Sequence, residues 1–448
     1  MARWNAIIAR ACTDRVSVTV RVLAPQALRP GEIRVRYRTL DSLAIALSAD
    51  CDPDDASSLS GLPASVLGAL GEFVGRAVPI SRVPNRYADR AAWLTGGLLR
   101  LRPSDFRHPR KAQGRLWTAG QASLPMILAR DRITRRRLVA AGALDGLVQY
   151  VGEYPAPAGL RMVTYQDSTL LQALRAYPWP DFRGLTARDI DRWQRRQRAA
   201  YASAVACAAA THWVAQSLAT DYGVSAAKIH VVGIGANHVV DGRGLERDWS
   251  RPRFLFVGLD WERKNGPAVL DAFARLHDEI PEATLDVVGG HPRLDHPGVR
   301  GHGVLRLQDP SDRYRMEHLY RSATAFVMPS LHEPAGSVYI EAATAGIPSI
   351  GSSNGGAATC IGDTGCLVDP ASPHQLLDAM RKFAIPTVAQ ALGKRARERA
   401  ALFTWRLVAE RLVRALRLPD VDDSSLADFL PDLEAPQIAS LQRCAPND

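Results

Sequence analysis

The chain has 448 residues, 46% of them hydrophobic and 23% charged. This excludes wholesale disorder, a fibrous repeat and a disulfide-stapled miniprotein, and at roughly 150 residues per domain it predicts two or three domains. The formal net charge of +10 is lopsided: residues 1–235 hold 32 basic and 18 acidic side chains, and residues 236–448 the remaining 24 and 28. A basic first half suits anionic partners.

In chain order, short apolar runs alternate with helical stretches, the pattern of α/β domains with parallel sheets. Residues 1–40 stay unassigned. Ser42–Ala49 predicts a buried strand, and Ser60-Gly61-Leu62-Pro63 opens a helix from Ala64. Gly146–Val151 and Leu160–Tyr165 predict strands, and Asp189–Ala210 a long helix. A strand over Thr211–Gln216, a helix over Ser217–Tyr222 and a strand over Ile229–Val232 are expected to follow. Gly233–Arg243 would then be a hinge between two α/β halves.

The second half repeats the alternation more cleanly. Strands are predicted at Arg253–Gly258, Thr284–Gly289, Thr324–Pro329 and Pro348–Gly351. Helices are predicted at Pro267–Asp278, Ser311–Ser322, Val338–Ala345, Pro373–Phe383, Val388–Leu402 and Trp405–Leu416, the last capped by Thr404. The domain expectation is an extension over 1–40, a first domain over 41–235 and a second over 236–418, whose last helix packs on the first. The tail 419–448 has seven acids against Arg443 alone, and its acids, prolines and serines predict mobility.

Charged residues interrupt every apolar run in the first 25 residues, and uncharged Ala199–Thr220 is too polar for a bilayer span. The expectation is a cytoplasmic protein with at most weak, peripheral contact to the inner face of the membrane through its basic half. The arginine runs at 132–137 and 192–198 suit solvated helix faces, and no nucleic-acid partner is expected. Cys12, Cys51, Cys207, Cys360, Cys366 and Cys444 form no C-x-x-C pair, so they read as free thiols. His291, His296 and His302 form a loose cluster without a metal-ligand pattern.

Chemistry is concentrated in Ser330–Gly346, SLHEPAGSVYIEAATAG. Glu333 falls in a strand-to-helix loop and Glu341 on the helix that follows. The turn at Gly336 and Ser337 leaves backbone N–H groups free at a helix N-terminus, which suits phosphate, while carboxylates suit hydroxyl donors such as sugars and ribose. Taken alone, the pair fits better a dipole-complementing Glu333 and a solvent-facing Glu341. In FLFVGLDWERKNG, Phe254–Gly266, a buried strand runs into a loop with Arg263 and Lys264, at the end of the sheet where α/β folds bind ligands.

Together, and in this order, these blocks resemble the donor-binding domain of glycosyltransferase family 4, the group 1, retaining enzymes of GT-B fold. The resemblance runs from about Thr211 to Leu416 and includes VG…RKNG, ATLDVVGG, YRSATAFVMPS, the E-x7-E motif with AATAGIPSIGSSNGG, TGCLVDP and the FTW helix start. It implies two Rossmann-like, doubly wound domains facing across a cleft. It also implies that Glu333 contacts the donor sugar, that Glu341 holds the ribose, and that backbone near Gly258, Gly336, Ser337 and Val338 approaches the sugar diphosphate. Lys264 would bind phosphate. Leu259 stands where the family often has arginine, and Arg263 would supply that charge. In the first half, SLAIALSAD with SLSGLP resembles the family's first strand and glycine loop, making Gly61 a donor contact; a glycine in a tight turn fits the sequence equally. MVTYQDST resembles a segment that often carries an active-site histidine; here Gln166 and Asp167 stand in that place. Gln166 can bond a sugar hydroxyl but cannot move a proton, whereas Asp167 suits a general base or a helix cap.

The implied activity is a hexosyltransferase-like transfer from a nucleotide-diphosphate sugar to a hydroxyl of a glycan, lipid or small-molecule acceptor, with retention and without metal or other cofactor. The alternatives are a GT-B nucleotide-sugar epimerase or sugar-phosphate synthase, and a partner subunit that has lost its chemistry.

Overall fold

The computed structural model describes residues 38–430, except 57, 84–86, 88–93, 95–100, 108–115, 117, 177–181, 183–184 and 242–246. Two six-stranded sheets carry it. The first comprises β1 (Ala44–Ala49), β2 (Arg76–Ser81), β3 (Gly146–Tyr150), β4 (Arg161–Gln166), β5 (Ala206–Ala209) and β6 (Ile229–Val231), in spatial order 2-1-3-4-5-6. The second comprises β7 (Arg253–Gly258), β8 (Thr284–Gly289), β9 (Val299–Gly303), β10 (Ala325–Met328), β11 (Ser349–Ser352) and β12 (Cys366–Val368), in order 12-11-10-7-8-9. Every ladder is parallel. Central strands such as β3 and β10 are buried along their whole length, because helices cover both faces.

Helices of the first domain are α1 (Leu62–Gly71), α2 (Leu124–Ala140), α3 (Leu170–Ala176), α4 (Ala187–Ser203) and α5 (His212–Thr220). Those that follow are α6 (Gly266–Glu279), α7 (Pro310–Ser322), α8 (Ser337–Thr344), α9 (Ala357–Ile361), α10 (Pro373–Ala384), α11 (Pro386–Ala400) and α12 (Trp405–Leu416). α12 is capped by Thr404, whose hydroxyl accepts from the Leu407 N–H at 3.1 Å. Its apolar face lies on α1 and on β3, β4 and β5, so the chain returns to the first sheet after building the second. Its approach is close enough that a Cβ on Gly146 would sit 2.7 Å from the Leu416 side chain.

Several expectations change. Thr211–Gln216 is not a strand: the Thr211 side chain accepts from the Val214 N–H and starts α5, which therefore begins at His212 and not at Ser217. The strand is the alanine-rich Ala206–Ala209 before it, so the helix expected over Asp189–Ala210 ends as α4 at Ser203. β2, β9, β12, the 17-residue α2 and the short α9 were not anticipated. β2 carries Pro79 and is only partly buried, as expected for a strand at the edge of the described sheet. Residues 419–430, expected to begin a mobile tail, are docked. Leu430 N–H donates to Val231 O at 3.0 Å, Phe429 stacks on His230, and the Arg411 side chain donates to Asp428 O at 2.7 Å and to Val232 O at 3.0 Å. Leu426 and Leu430 are buried there, so apolar residues set between the acids decide the matter. The remainder of the tail and the N-terminal extension up to residue 37 lie outside the described residues.

In both sheets the strand order reverses beside the first strand, between β1 and β3 and between β7 and β10. Chain segments leaving such neighbours diverge and open a crevice at the C-terminal edge of the sheet.

Candidate active site

The loop after β7 and the loop after β10 meet at the crevice of the second sheet. Lys264 N–H donates to Asp260 O at 2.9 Å, which curls the first loop back over the strand end; a Cβ on Gly258 would sit 2.8 Å from the Lys264 Cγ. The Lys264 ammonium forms an ion pair with the Glu333 carboxylate, and both side chains are almost wholly buried. Burial pushes the Lys264 ammonium below its ordinary value, against the pull of Glu333. Arg263 clamps the two loops together: its Nη1 donates to His332 O at 3.0 Å, and its carbonyl accepts from the Leu331 N–H at 2.9 Å.

The second loop is shaped by glycines. Gly336 (φ +84°) caps α8 in a left-handed conformation, and a Cβ there would meet the Tyr339 ring at 2.5 Å. Gly355 (φ +108°) and Gly356 lie against the Glu333-Pro334 backbone; their Cβ atoms would fall 2.2 and 2.1 Å from the carbonyls of Glu333 and Pro334. Gly356 N–H donates to Glu333 O at 2.8 Å. One turn along α8, the Glu341 carboxylate accepts from the Tyr320 hydroxyl at 3.0 Å and from backbone N–H groups of Asn237 and His238 in the hinge. Burial raises its pKa to about 7 despite these donors.

Across from this loop stands Asp167, the first residue beyond β4. Its Oδ2 accepts from the Tyr150 hydroxyl at 3.1 Å. Burial raises its pKa, the nearby charge of Glu333 raises it further, and Tyr150 with two backbone N–H groups opposes the shift. The two loops and the end of β4 border one cavity of about 600 Å³. Asp167, Gly258, Arg263, Lys264, Glu333, Gly336, Ser337, Val338 and Glu341 line it.

Two anticipated residues are placed elsewhere. Gln166 is fully buried within β4, on the face opposite Tyr165, and neither atom of its side-chain amide has a partner. Strand alternation takes it out of the cleft and Asp167, past the strand end, into it. Gly61 (φ +74°) starts α1, but its neighbour Leu62 is the residue that lines the cavity. The histidines have local partners: His302 bonds Asp286 at 2.7 Å, His291 accepts from the Gly303 N–H at 2.9 Å, and the His296 ring bonds Pro297 O at 2.6 Å.

Several contributors were not legible beforehand. Val288, Leu305, Leu307 and Met316 give the cavity an apolar end. Tyr150, Tyr320 and the hinge amides position the carboxylates. Their positions lie 17 to about 100 residues from the groups they serve, and no local pattern announces such contacts.

Residues 251–384 match the family model described as Glycosyl transferases group 1. The chain is 30% identical over 228 residues to a D-inositol 3-phosphate glycosyltransferase of Kribbella flavida, covering 45% of this chain and 54% of that protein. It is 31% identical over 219 residues to the one of Streptomyces avermitilis, covering 43% and 47%. The matches thus span about half the length of these relatives. Among solved structures, the sucrose-phosphate synthase of Thermosynechococcus elongatus superposes with a TM-score of 0.57 at 19% identity, over 84% of this chain and 98% of that one. A UDP-forming trehalose-phosphate synthase of Burkholderia xenovorans gives 0.55 at 13%, over 84% and 99%. The fold is GT-B. In GT-B terms, the cavity described above lies in the cleft between the two Rossmann-like domains.

Proposed function

We propose that this cleft transfers a sugar from a nucleotide-diphosphate donor to an acceptor hydroxyl, with retention and without a metal. The observation that carries the proposal is the convergence of four features in one cavity: Lys264, the N-terminus of α8 at Gly336 and Ser337, and the carboxylates of Glu333 and Glu341. Free N–H groups at a helix start and a buried ammonium are the chemistry that meets a diphosphate. The match to group 1 glycosyltransferases over 251–384 covers this same set.

In this reading Lys264 and the α8 N–H groups hold the diphosphate and stabilise the negative charge that grows on it as the sugar leaves. Glu333, paired with Lys264 before donor binds, turns to the sugar hydroxyls once the ammonium is engaged by phosphate. Glu341 accepts from the ribose hydroxyls, and the apolar end at Leu305, Leu307 and Met316 takes the base. Arg263 acts as the brace between the two loops. Asp167 stands on the acceptor side, where it orients the attacking hydroxyl, while the departing phosphate takes the proton.

The test is protection of the full chain against thermal unfolding by a panel of nucleoside diphosphates and their sugars. A ligand at a hundred times its Kd adds roughly 2.7 kcal/mol. One base should stabilise clearly above the others, and Glu341→Ala should weaken that stabilisation by a charged hydrogen bond, roughly 1.5–3 kcal/mol. Failure of every nucleotide to shift the transition would refute the reading.

A further inference from the structure

A second cavity, of about 500 Å³, lies between α3 and α5 of the first domain and the segments at Leu331 and 353–355 of the second. It stands back to back with the cleft. α3 presents Ala173 to the cleft and Gln172 and Arg175 to this cavity; the loop after β10 presents His332 and Glu333 to the cleft and Leu331 here. Its size falls within the about 300–1,000 Å³ of ordinary ligand pockets.

The lining has a definite chemical character. Trp213 is the one aromatic residue among its described lining, half-buried, with its ring held at 63° and 5.9 Å to that of His332. The Gln172 amide is fixed: Nε2 donates to Trp213 O at 2.7 Å and Oε1 accepts from the Thr169 N–H at 3.1 Å. Among the described residues the charges in the wall are paired: Arg175 donates to Asp221 at 2.7 Å and the other oxygen of Asp221 accepts from Ser217 at 2.7 Å. Gln216 and Asn354 add two exposed amides, each able to donate and accept.

A wall whose described charges are paired with each other favours a neutral polar ligand over a phosphate or a carboxylate. A single indole among amides and hydroxyls offers one apolar face and many two-way hydrogen-bonding groups. A pyranose has the matching halves, a C–H face for the indole and hydroxyls that both donate and accept. We propose that this interdomain cavity binds a neutral saccharide, in a site separate from the donor cleft. The site stands whether or not the cleft transfers a sugar. Its occupant would also bear on the cleft, since the residues after Asn354 are the two glycines that hold the Glu333 backbone.

The experiment titrates methyl α-glucoside, methyl α-mannoside, sucrose and maltotriose into the full chain, with binding read by saturation-transfer NMR and calorimetry. At least one should bind saturably. Trp213→Ala and the exposed Gln216→Leu should each weaken it about tenfold or more, the loss of one stacking or hydrogen-bonding group. Lys264→Ala and Glu341→Ala, in the cleft, should leave it unchanged, and this separates the site from the proposed donor site. Because Gln216 is exposed, its variant keeps the test valid if Trp213→Ala unfolds. Three results would each overturn the assignment: no sugar of the panel binding, binding lost with Lys264→Ala instead, or adenosine displacing the sugar from this cavity.

Discussion

The C-terminal edges of the two sheets share a topology and differ in how they dispose of charge. At the first, both carboxylates are held by arginines, three of them against two acids. Arg82, fully buried, donates to Asp50 at 2.9 Å and to Tyr150 O at 2.7 Å; Glu153 accepts from Arg196 at 2.7 Å and from the Trp193 indole at 2.8 Å. Burial pushes Asp50 up, and Arg82, Arg130 and Arg196 together hold it below its ordinary value. Glu153 stays raised, by burial first and then by Asp50. At the second edge the ion pair is a simple Lys264–Glu333 couple set beside the open N-terminus of α8. The first cluster is built to stay closed, whereas the second can exchange one partner for a ligand. The excess of arginine in the first half therefore does not by itself make an anion site.

The largest effect should come from opening the closed cluster. Arg82→Ala leaves Asp50, a quarter exposed and still paired with Arg130 at 3.1 Å, against fewer cations, so the cost should lie at or below the about 3–5 kcal/mol of a fully buried pair. Urea unfolding should show that loss; a cost near zero would mean that the two edges are not different in kind.

Opening the exchangeable pair should act on rate as well as on stability, because it leaves the Glu333 carboxylate buried without its ammonium. Lys264→Ala should lower kcat by about 10²–10³, the size of a lost transition-state charge contact, with a smaller effect on donor affinity. Steady-state kinetics reads this split; Arg263→Ala, which should disturb both loops, should likewise lower stability along with rate.

Glu341 sharpens the comparison through pH. Its pKa in the folded chain, about 7, lies above the ordinary 4.5. The native state therefore keeps a proton that the unfolded chain has lost, and this contribution to stability is full at low pH and disappears as pH rises from about 4.5 through about 7. Glu341→Gln should flatten that part of the stability profile. Ribose hydroxyls bind the ionised form better, so nucleotide affinity should rise with pH across the same window and binding should release protons. Calorimetry in buffers of different ionisation enthalpy reads that release directly.

The smallest expected effect contrasts neighbours. Asp167→Asn should remove the acid limb of the pH–rate profile and lower kcat above it, by less than the about 10²–10⁴ of a lone general base if the leaving phosphate takes the proton. Gln166→Met conserves volume and removes an unpartnered buried amide, so activity should be unchanged and melting not lowered. A loss of activity on the second substitution would return Gln166 to the site.

The second domain was legible because its signals are local. β7 and α12 fall where the apolar pattern and the Thr404 cap put them, and Lys264, Glu333, Gly336 and Glu341 sit within two short loop-to-helix segments. The first domain was harder for physical reasons. β5 is Ala-Cys-Ala-Ala, a helix-favouring composition made a strand by burial on both faces. The partners that tune the carboxylates, Tyr150 for Asp167 and the hinge amides for Glu341, arrive from distant strands and loops. The docking of 419–430 turns on apolar residues scattered among acids, whose binding surface exists only after β6 and α12 have packed.

The most direct measurement of the central claim is nucleotide release from a panel of nucleotide sugars, with and without candidate acceptors, by the wild-type chain and by Lys264→Ala. The account predicts that one donor is consumed by the wild type and that its consumption falls by about 10²-fold or more in the variant. Consumption of no donor, or consumption at the wild-type rate by Lys264→Ala, would contradict it.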